Sequence, residues 1–245
     1  MNFFKSHKKT HNNNNNNNEA DCDPAMLRKA LFDSLSEQDY NKHDIERLKK
    51  EDYAVSRYFK EDTKTTVQHI KGVLEWRKGY NLSDLKEEDF PKEYRESGVF
   101  VRHGQDVEKN VMVYIRVKLF KKGEQPIDDV KKYLAFLLDR VDRDTRGDGW
   151  ALCFDCTDAG LSNVDMELLK FVVQALTNYF VENCRYVLIY EMPWILSSIW
   201  KIVKSWLPQE QREAVKFAQK KEMSSFVADS ELPDFMQEEP APSSD

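Results

Sequence analysis

Glycine and cysteine are both scarce in this chain. Eight glycines in 245 residues leave no glycine-rich loop. There is no GxGxxG turn, no Walker-type phosphate loop and no GxSxG elbow to present a serine nucleophile. The four cysteines, Cys22, Cys153, Cys156 and Cys184, are too few and too scattered for a disulfide scaffold or a four-ligand zinc site. There are five histidines, and two of them, His7 and His11, fall in a polar leader segment. The sequence therefore predicts no catalytic constellation, no metal and no cofactor, and the chain reads as a non-enzyme. Apolar runs such as Tyr186–Tyr190 fall far short of the roughly 20 residues that span a bilayer. No apolar segment follows Met1, so the expectation is a cytoplasmic chain with reduced thiols.

An excess of positive charge is also lacking. Lys and Arg number 37 against 43 Asp and Glu, for a net charge of −6, with both signs interspersed. Nucleic-acid binding needs a concentrated basic surface, so it is not expected. What is present is 40% hydrophobic and 33% charged residues, a balance that suits a globular core with well-solvated helical faces.

Residues 1–23 contain the unbroken run Asn12–Asn18 beside Lys5, Lys8 and Lys9, and are expected to be a disordered tail. Residues 24–90 carry helical spacing. Met26, Leu27, Ala30 and Leu31 follow an Asp23–Pro24 start signal, and Val67, Ile70, Leu74 and Arg77 mark a helix over Thr63–Lys78. Residues 91–236 change character. Strands are expected at Val111–Val117, Trp150–Asp155, Tyr186–Glu191 (the most continuously apolar, hence central) and Val215–Phe217. Helices alternate with them at Ile127–Arg140, Val164–Phe180 and Ile195–Leu207. This order predicts an α/β layer behind a helical bundle. Residues 237–245 form a second, acidic and Pro-rich tail.

Cys153 and Cys156 make a CxxC pair. A redox site puts the first thiol at a helix N-terminus, whereas this pair straddles a strand end, with Cys153 pointing into the sheet face. Structural burial is the favoured reading, and redox or hydrolytic use of the pair is the least favoured. Asp155 and Asp158, flanking a turn that ends at Gly160, read as turn residues.

The most informative stretch runs from Glu191 to Leu207. On a helical wheel Ile195, Leu196, Ile199, Trp200, Ile202, Val203, Trp206 and Leu207 fill roughly 160°, opposite Ser197, Lys201, Lys204 and Ser205. Periodicity leaves two readings open: a helix packed on the sheet, or a lid over an apolar cavity whose Trp and Lys suit a membrane surface.

Several motifs together resemble the CRAL-TRIO family. They are Asp52–Lys78, ending in the Trp76–Arg77 pair, the strand-turn Leu152–Gly160, and Asn178–Leu207. Shorter phrases (Tyr80–Leu85, Val164–Val173, Leu232–Met236) are most similar to the branch of motile sperm domain-containing proteins. The resemblance implies a mixed sheet flanked by helices, with a gate helix closing an apolar pocket. It implies a lipid ligand of unknown identity, a peripheral membrane location and a monomer. Only a longer parent carrying an anchor would sit at the endoplasmic reticulum. The implied gate residues are Trp194, Ile195, Ile199, Trp200, Ile202, Val203 and Trp206, over a pocket floor of Tyr114, Phe154 and Tyr190. For a head group the resemblance offers Glu182 and Lys216. Asn183 replaces the arginine that phosphoinositide-transferring members carry, which removes a bidentate phosphate ligand. Two functions from different classes follow. One is binding and transfer of a lipid between membranes; the other is a membrane- or droplet-recruitment module that keeps the fold without transfer.

Overall fold

The computed structural model describes residues 23–60 and 62–237. The two expected tails therefore lie outside the described residues, apart from Asp23 and Gln237. Asp23 belongs to the first helix: its carboxylate accepts from the Ala25 N–H at 2.9 Å, with Pro24 at the first turn.

Four helices build the N-terminal region: α1 (Pro24–Phe32), α2 (Lys42–Lys50), α3 (Asp52–Ser56) and α4 (Thr63–Gly79). Asp62 caps α4, accepting from the Thr65 N–H at 2.8 Å. The predicted stripe of Val67, Ile70, Leu74 and Arg77 is buried, and its three apolar members pack with Leu31, Ile45, Leu48 and Val55 into one core.

The short α5 (Lys92–Arg95) leads into a five-stranded sheet. Strands β1 (Phe100–Gln105) and β2 (Val111–Arg116) pair antiparallel. Then β3 (Trp150–Asp155), β4 (Cys184–Tyr190) and β5 (Val215–Ala218) add in parallel, in sequence order. Each parallel step needs a crossover: α6 (Ile127–Thr145), α7 (Met166–Gln174) and α8 (Ser197–Trp206), the last followed by α9 (Gln209–Arg212). Parallel crossovers share one hand, so steps taken in one direction place all their helices on one face of the sheet. That face holds the main core, where Val130, Leu134 and Leu138 of α6 meet Val113, Leu152 and Trp150.

Short 3-10 turns between Lys220 and Met236 cover the other face, bringing Met223, Val227, Leu232 and Met236 onto Met112, Tyr114 and Leu188. Gly104 in β1 makes this possible. It has φ +64, and a Cβ there would sit 2.2 Å from the Glu231 carbonyl oxygen.

Three details depart from expectation. The strand at Tyr186 is interior but not central: β3 holds the middle. Val187 and Ile189 of β4 are only half-buried because they face a cavity. Strand β1, with Arg102, His103 and Gly104, carries charge suited to a sheet edge and gave no apolar alternation to read. The long helix at Val164–Phe180 starts at Met166 and changes after Gln174 into a π-helical turn, Ala175–Tyr179, closed by the Phe180 N–H donating to the Ala175 carbonyl at 2.9 Å.

Buried ions join the two regions. Arg57 donates twice to Asp142 of α6, at 2.8 and 3.0 Å, and its Nε donates to the Val181 carbonyl at 3.0 Å. Arg77 donates to Asp44 at 2.8 Å and to Asp139 at 2.7 Å. The neighbouring Trp76 stacks on Tyr179, with centroids 4.1 Å apart. The Trp–Arg pair thus anchors the bundle to the α/β layer with one apolar and one ionic contact.

Candidate functional site

Helix α8 roofs a chamber. It starts after Pro193 through a 3-10 turn (Trp194–Leu196) and stops where Leu207, held extended by Pro208, cannot continue the helix. No residue of Ser197–Trp206 is fully buried. Beneath it lies a cavity of about 150 Å³, lined by Val172, Val173 and Leu176 of the α7 segment, Phe154 of β3, Val187 and Ile189 of β4, and Ile199, Trp200 and Val203 of α8. None of its lining residues is charged. Because α6 covers the β1–β3 half of the same face, the space opens only where α8 stands over β4 and β5.

The expected site residues divide into groups. Ile199, Trp200 and Val203 line the chamber, together with Leu196 and Leu207; Trp200 also meets Phe217 edge-on at 5.1 Å. Trp206 instead lines an adjoining space of about 460 Å³ with Lys60, Lys170, Gln174 and Glu210. Trp194 (84% exposed), Ile195 (39%) and Ile202 (44%) face outward. The apolar arc of α8 is wide enough to serve two surfaces, one towards the chamber and one away from it.

Of the expected floor residues, Phe154 lines the chamber, whereas Tyr114 and Tyr190 are corrected to the opposite face. Successive side chains alternate across a sheet. Register pairs Phe154 with Ile189 on the chamber side, and Tyr114 with Cys153 and Leu188 on the other.

The head-group pair is not brought together around the chamber. Lys216 pairs with Leu188 on the far face, where its Nζ lies 4.3 Å from the centre of the Tyr186 ring. Glu182, at φ 65, precedes β4. It acts on Lys60, whose ammonium burial pulls down while Glu182 pulls it up. Asn183 is buried and donates to Asp142 at 2.9 Å, so it serves the ionic joint.

The thiols are poorly suited to nucleophilic work. Burial pushes Cys153 well above its ordinary range and Cys156 up to about 12, with Asp155 adding to both; burial also raises Cys184. Such groups hold almost no thiolate at neutral pH. Iodoacetamide at about pH 7 should leave all three unmodified in the native chain and label them once denaturant is added. Rapid native labelling of Cys153 or Cys156 would revive the redox reading. Among the described residues, no group of three or more His, Cys, Asp or Glu side chains is placed to hold a metal. No described helix is long and apolar enough to cross a membrane.

A parallel-rich sheet with helices on one face and an uncharged chamber under an amphipathic helix defines an α/β module with an apolar pocket. The chain belongs to the CRAL/TRIO domain family, whose model matches residues 95–237. It is 23% identical over 227 residues to CRAL-TRIO domain-containing protein C3H8.02 of Schizosaccharomyces pombe, covering 88% of this chain and 49% of that protein. It is 23% identical over 125 residues to phosphatidylinositol transfer protein CSR1 of Eremothecium gossypii, covering 50% of this chain and 29% of that protein. The chain therefore spans about half or less of the length of these relatives. Among solved structures, Sfh5 superposes with a TM-score of 0.60 at 16% identity, covering 81% of this chain and 83% of that one; this likeness concerns the fold.

Proposed function

We propose that the chain is a lipid carrier, taking the apolar part of one hydrophobic ligand into the chamber beneath α8 and exchanging it at a membrane surface. The observation that carries this reading is the chamber itself: about 150 Å³ without a charged lining residue, roofed by a helix with no fully buried residue. An apolar space of that volume holds a benzene-sized group. A longer chain enters only as α8 lifts, and each methylene taken in contributes about 0.8 kcal/mol. Opening in water exposes the same surface, so a bilayer is the favourable place for it.

Trp194, Ile195 and Ile202, exposed beside Lys201 and Lys204, suit that contact, because apolar side chains insert while lysines meet anionic head groups. The module would then act as a peripheral, monomeric protein on the cytoplasmic side of membranes. The named activity of the Eremothecium relative supports transfer as a class. Asn183 within the ionic joint and Lys216 on the far face give no support to phosphoinositide selection. The phrase-level likeness to motile sperm domain-containing proteins belongs to the same reading.

Replacing Trp194 and Ile202 together by Glu should lower sedimentation with anionic vesicles at least about five-fold, since two apolar anchors are lost and two repulsive charges gained. Circular dichroism should not change, because both side chains are exposed. Undiminished sedimentation would remove α8 from the membrane step. Vesicle binding by a chain that never holds lipid would favour the recruitment module instead.

A further inference from the structure

Of the seven large apolar side chains exposed among the described residues, four gather at one end of the sheet and on its roof: Leu161, Trp194, Ile195 and Ile202. Strands β2, β3 and β4 run parallel, so the turns that leave them emerge at the same end. Leu161 stands in the turn after β3 and Trp194 in the turn after β4. The residues that bracket these two tips share one small apolar cluster. Ala159 and Val164 lie on either side of Leu161, Met192 and Leu196 on either side of Trp194, and Ile199 of α8 joins them. Leu161 and Trp194 therefore occupy one rim, continuous with α8.

Hydrogen bonds hold the Leu161 turn in place. The Asn163 side-chain amide donates to the Lys118 and Phe120 carbonyls at 3.1 and 2.8 Å, while its oxygen accepts from the Gly160 N–H at 2.9 Å. The Lys122 N–H donates to the Ser162 carbonyl at 3.4 Å. The turn after β3 is thus tied to the turn after β2, and Leu161 is left 53% exposed. A leucine exposed on its own is ordinary. One presented from a bonded turn on the same rim as an 84% exposed tryptophan belongs to a patch.

Charge on this rim is balanced. Lys118 meets Asp158 at 3.3 Å, Lys121 meets Glu124 at 3.2 Å and Lys122 meets Asp165 at 4.0 Å. Those six are all the charged residues of segments 117–124 and 156–165. Helix α8 differs, because it carries Lys201 and Lys204 and no acid.

We infer that the Leu161 turn is a second membrane contact, inserting beside Trp194 when α8 meets a bilayer, and that it is indifferent to lipid charge. The inference rests on the carrier reading and adds an orientation to it: the end of the sheet where β2, β3 and β4 finish faces lipid together with the roof. Neither Leu161 nor Trp194 lines the chamber or the adjoining outer space. Both protrude from turns, and a protruding apolar tip is received by a fluid bilayer without a matching recess. The paired charges around it stay at the level of the head groups.

Hydrogen exchange tests this on the full-length chain, with and without vesicles of phosphatidylcholine and phosphatidylserine. The vesicles should slow exchange in segment 157–164 together with segment 191–206. Slowing confined to 191–206 would overturn the rim contact and leave the carrier reading in place. Slowing of neither would overturn both. Slowing of 157–164 that needs no vesicles and grows with protein concentration would give the rim to a second copy of the chain instead. Leu161→Gln should lower sedimentation with the same vesicles about five-fold, the effect of keeping half a leucine side chain out of the bilayer. Its urea midpoint should not move, because the side chain is exposed. The five-fold loss should be the same at ~0.1 M and ~1 M salt, where the screening length falls from ~10 to ~3 Å. A loss that disappears at the higher salt would overturn the indifference to charge. Exchange in the unsubstituted chain decides the contact even where the variant fails to fold.

Discussion

Arg57→Met should lower the unfolding free energy by about 3–5 kcal/mol, the effect of stripping one partner from a buried ion pair. Arg57 and Asp142 are 6% and 4% exposed at the side chain, so water cannot take over for the lost guanidinium. The isolated carboxylate would retain Arg47 at 3.8 Å and the Asn183 amide, which is why the loss should fall short of unfolding the chain outright. Since whole domains have only about 5–15 kcal/mol in hand, urea midpoints should shift visibly with little change in slope. Adding Asp142→Leu to Arg57→Met should return part of the loss, because a buried pair and an apolar pair of similar volume are often near-equal. An Arg57→Met midpoint matching the unsubstituted chain would show that the joint does not hold the two regions together.

The same joint sets a pH dependence. Burial alone would raise the Asp142 carboxyl, but the Arg57 guanidinium beside it, the Asn183 amide and Arg47 hold it below its ordinary range. Its folded value therefore lies under the unfolded one. The stabilisation is complete above the unfolded carboxylate range, near pH ~3.9, and fades as pH falls through that range towards the folded value. Acid titration of stability should be steeper in the unsubstituted chain than in Asp142→Asn, and parallel curves would contradict this assignment.

The second large effect concerns the chamber. Val187 points into it from β4, half-buried, and Val187→Trp should fill the space with an indole. Overpacking a solid core typically costs about 1–3 kcal/mol. Here the added volume enters existing emptiness, so stability should stay within about 1 kcal/mol of the parent. Lipid retention, by contrast, should drop by about two orders of magnitude, because excluding even four methylenes removes about 3 kcal/mol. A variant strongly destabilised yet still lipid-loaded would place the ligand somewhere else.

Much of the framework was legible in the sequence because it rests on local periodicity. The continuous apolar run of Val111–Ile115, buried on both faces, and the three-four spacing from Ile127 to Val141 are signals that an interior strand and an amphipathic helix carry. The wide apolar arc after Pro193 left two readings open, a helix packed on the sheet or a lid over a cavity, and only the fold shows that Ile199, Trp200 and Val203 line the chamber while Ile202 is exposed. Periodicity fixes which residues share a face but not which face looks where, and so Tyr114 and Tyr190 were expected on the wrong side of the sheet. Arg57 and Asp142 are 85 residues apart, and a lone buried charge leaves no pattern in the sequence.

The carrier reading is tested most directly by what the protein holds when it leaves the cell. Chain purified without detergent should show, by native mass spectrometry, a bound mass corresponding to one lipid, released on denaturation and recovered in organic extract; Val187→Trp prepared in parallel should carry none. An unsubstituted chain that is empty, with the same mass profile as the filled variant, would contradict the account.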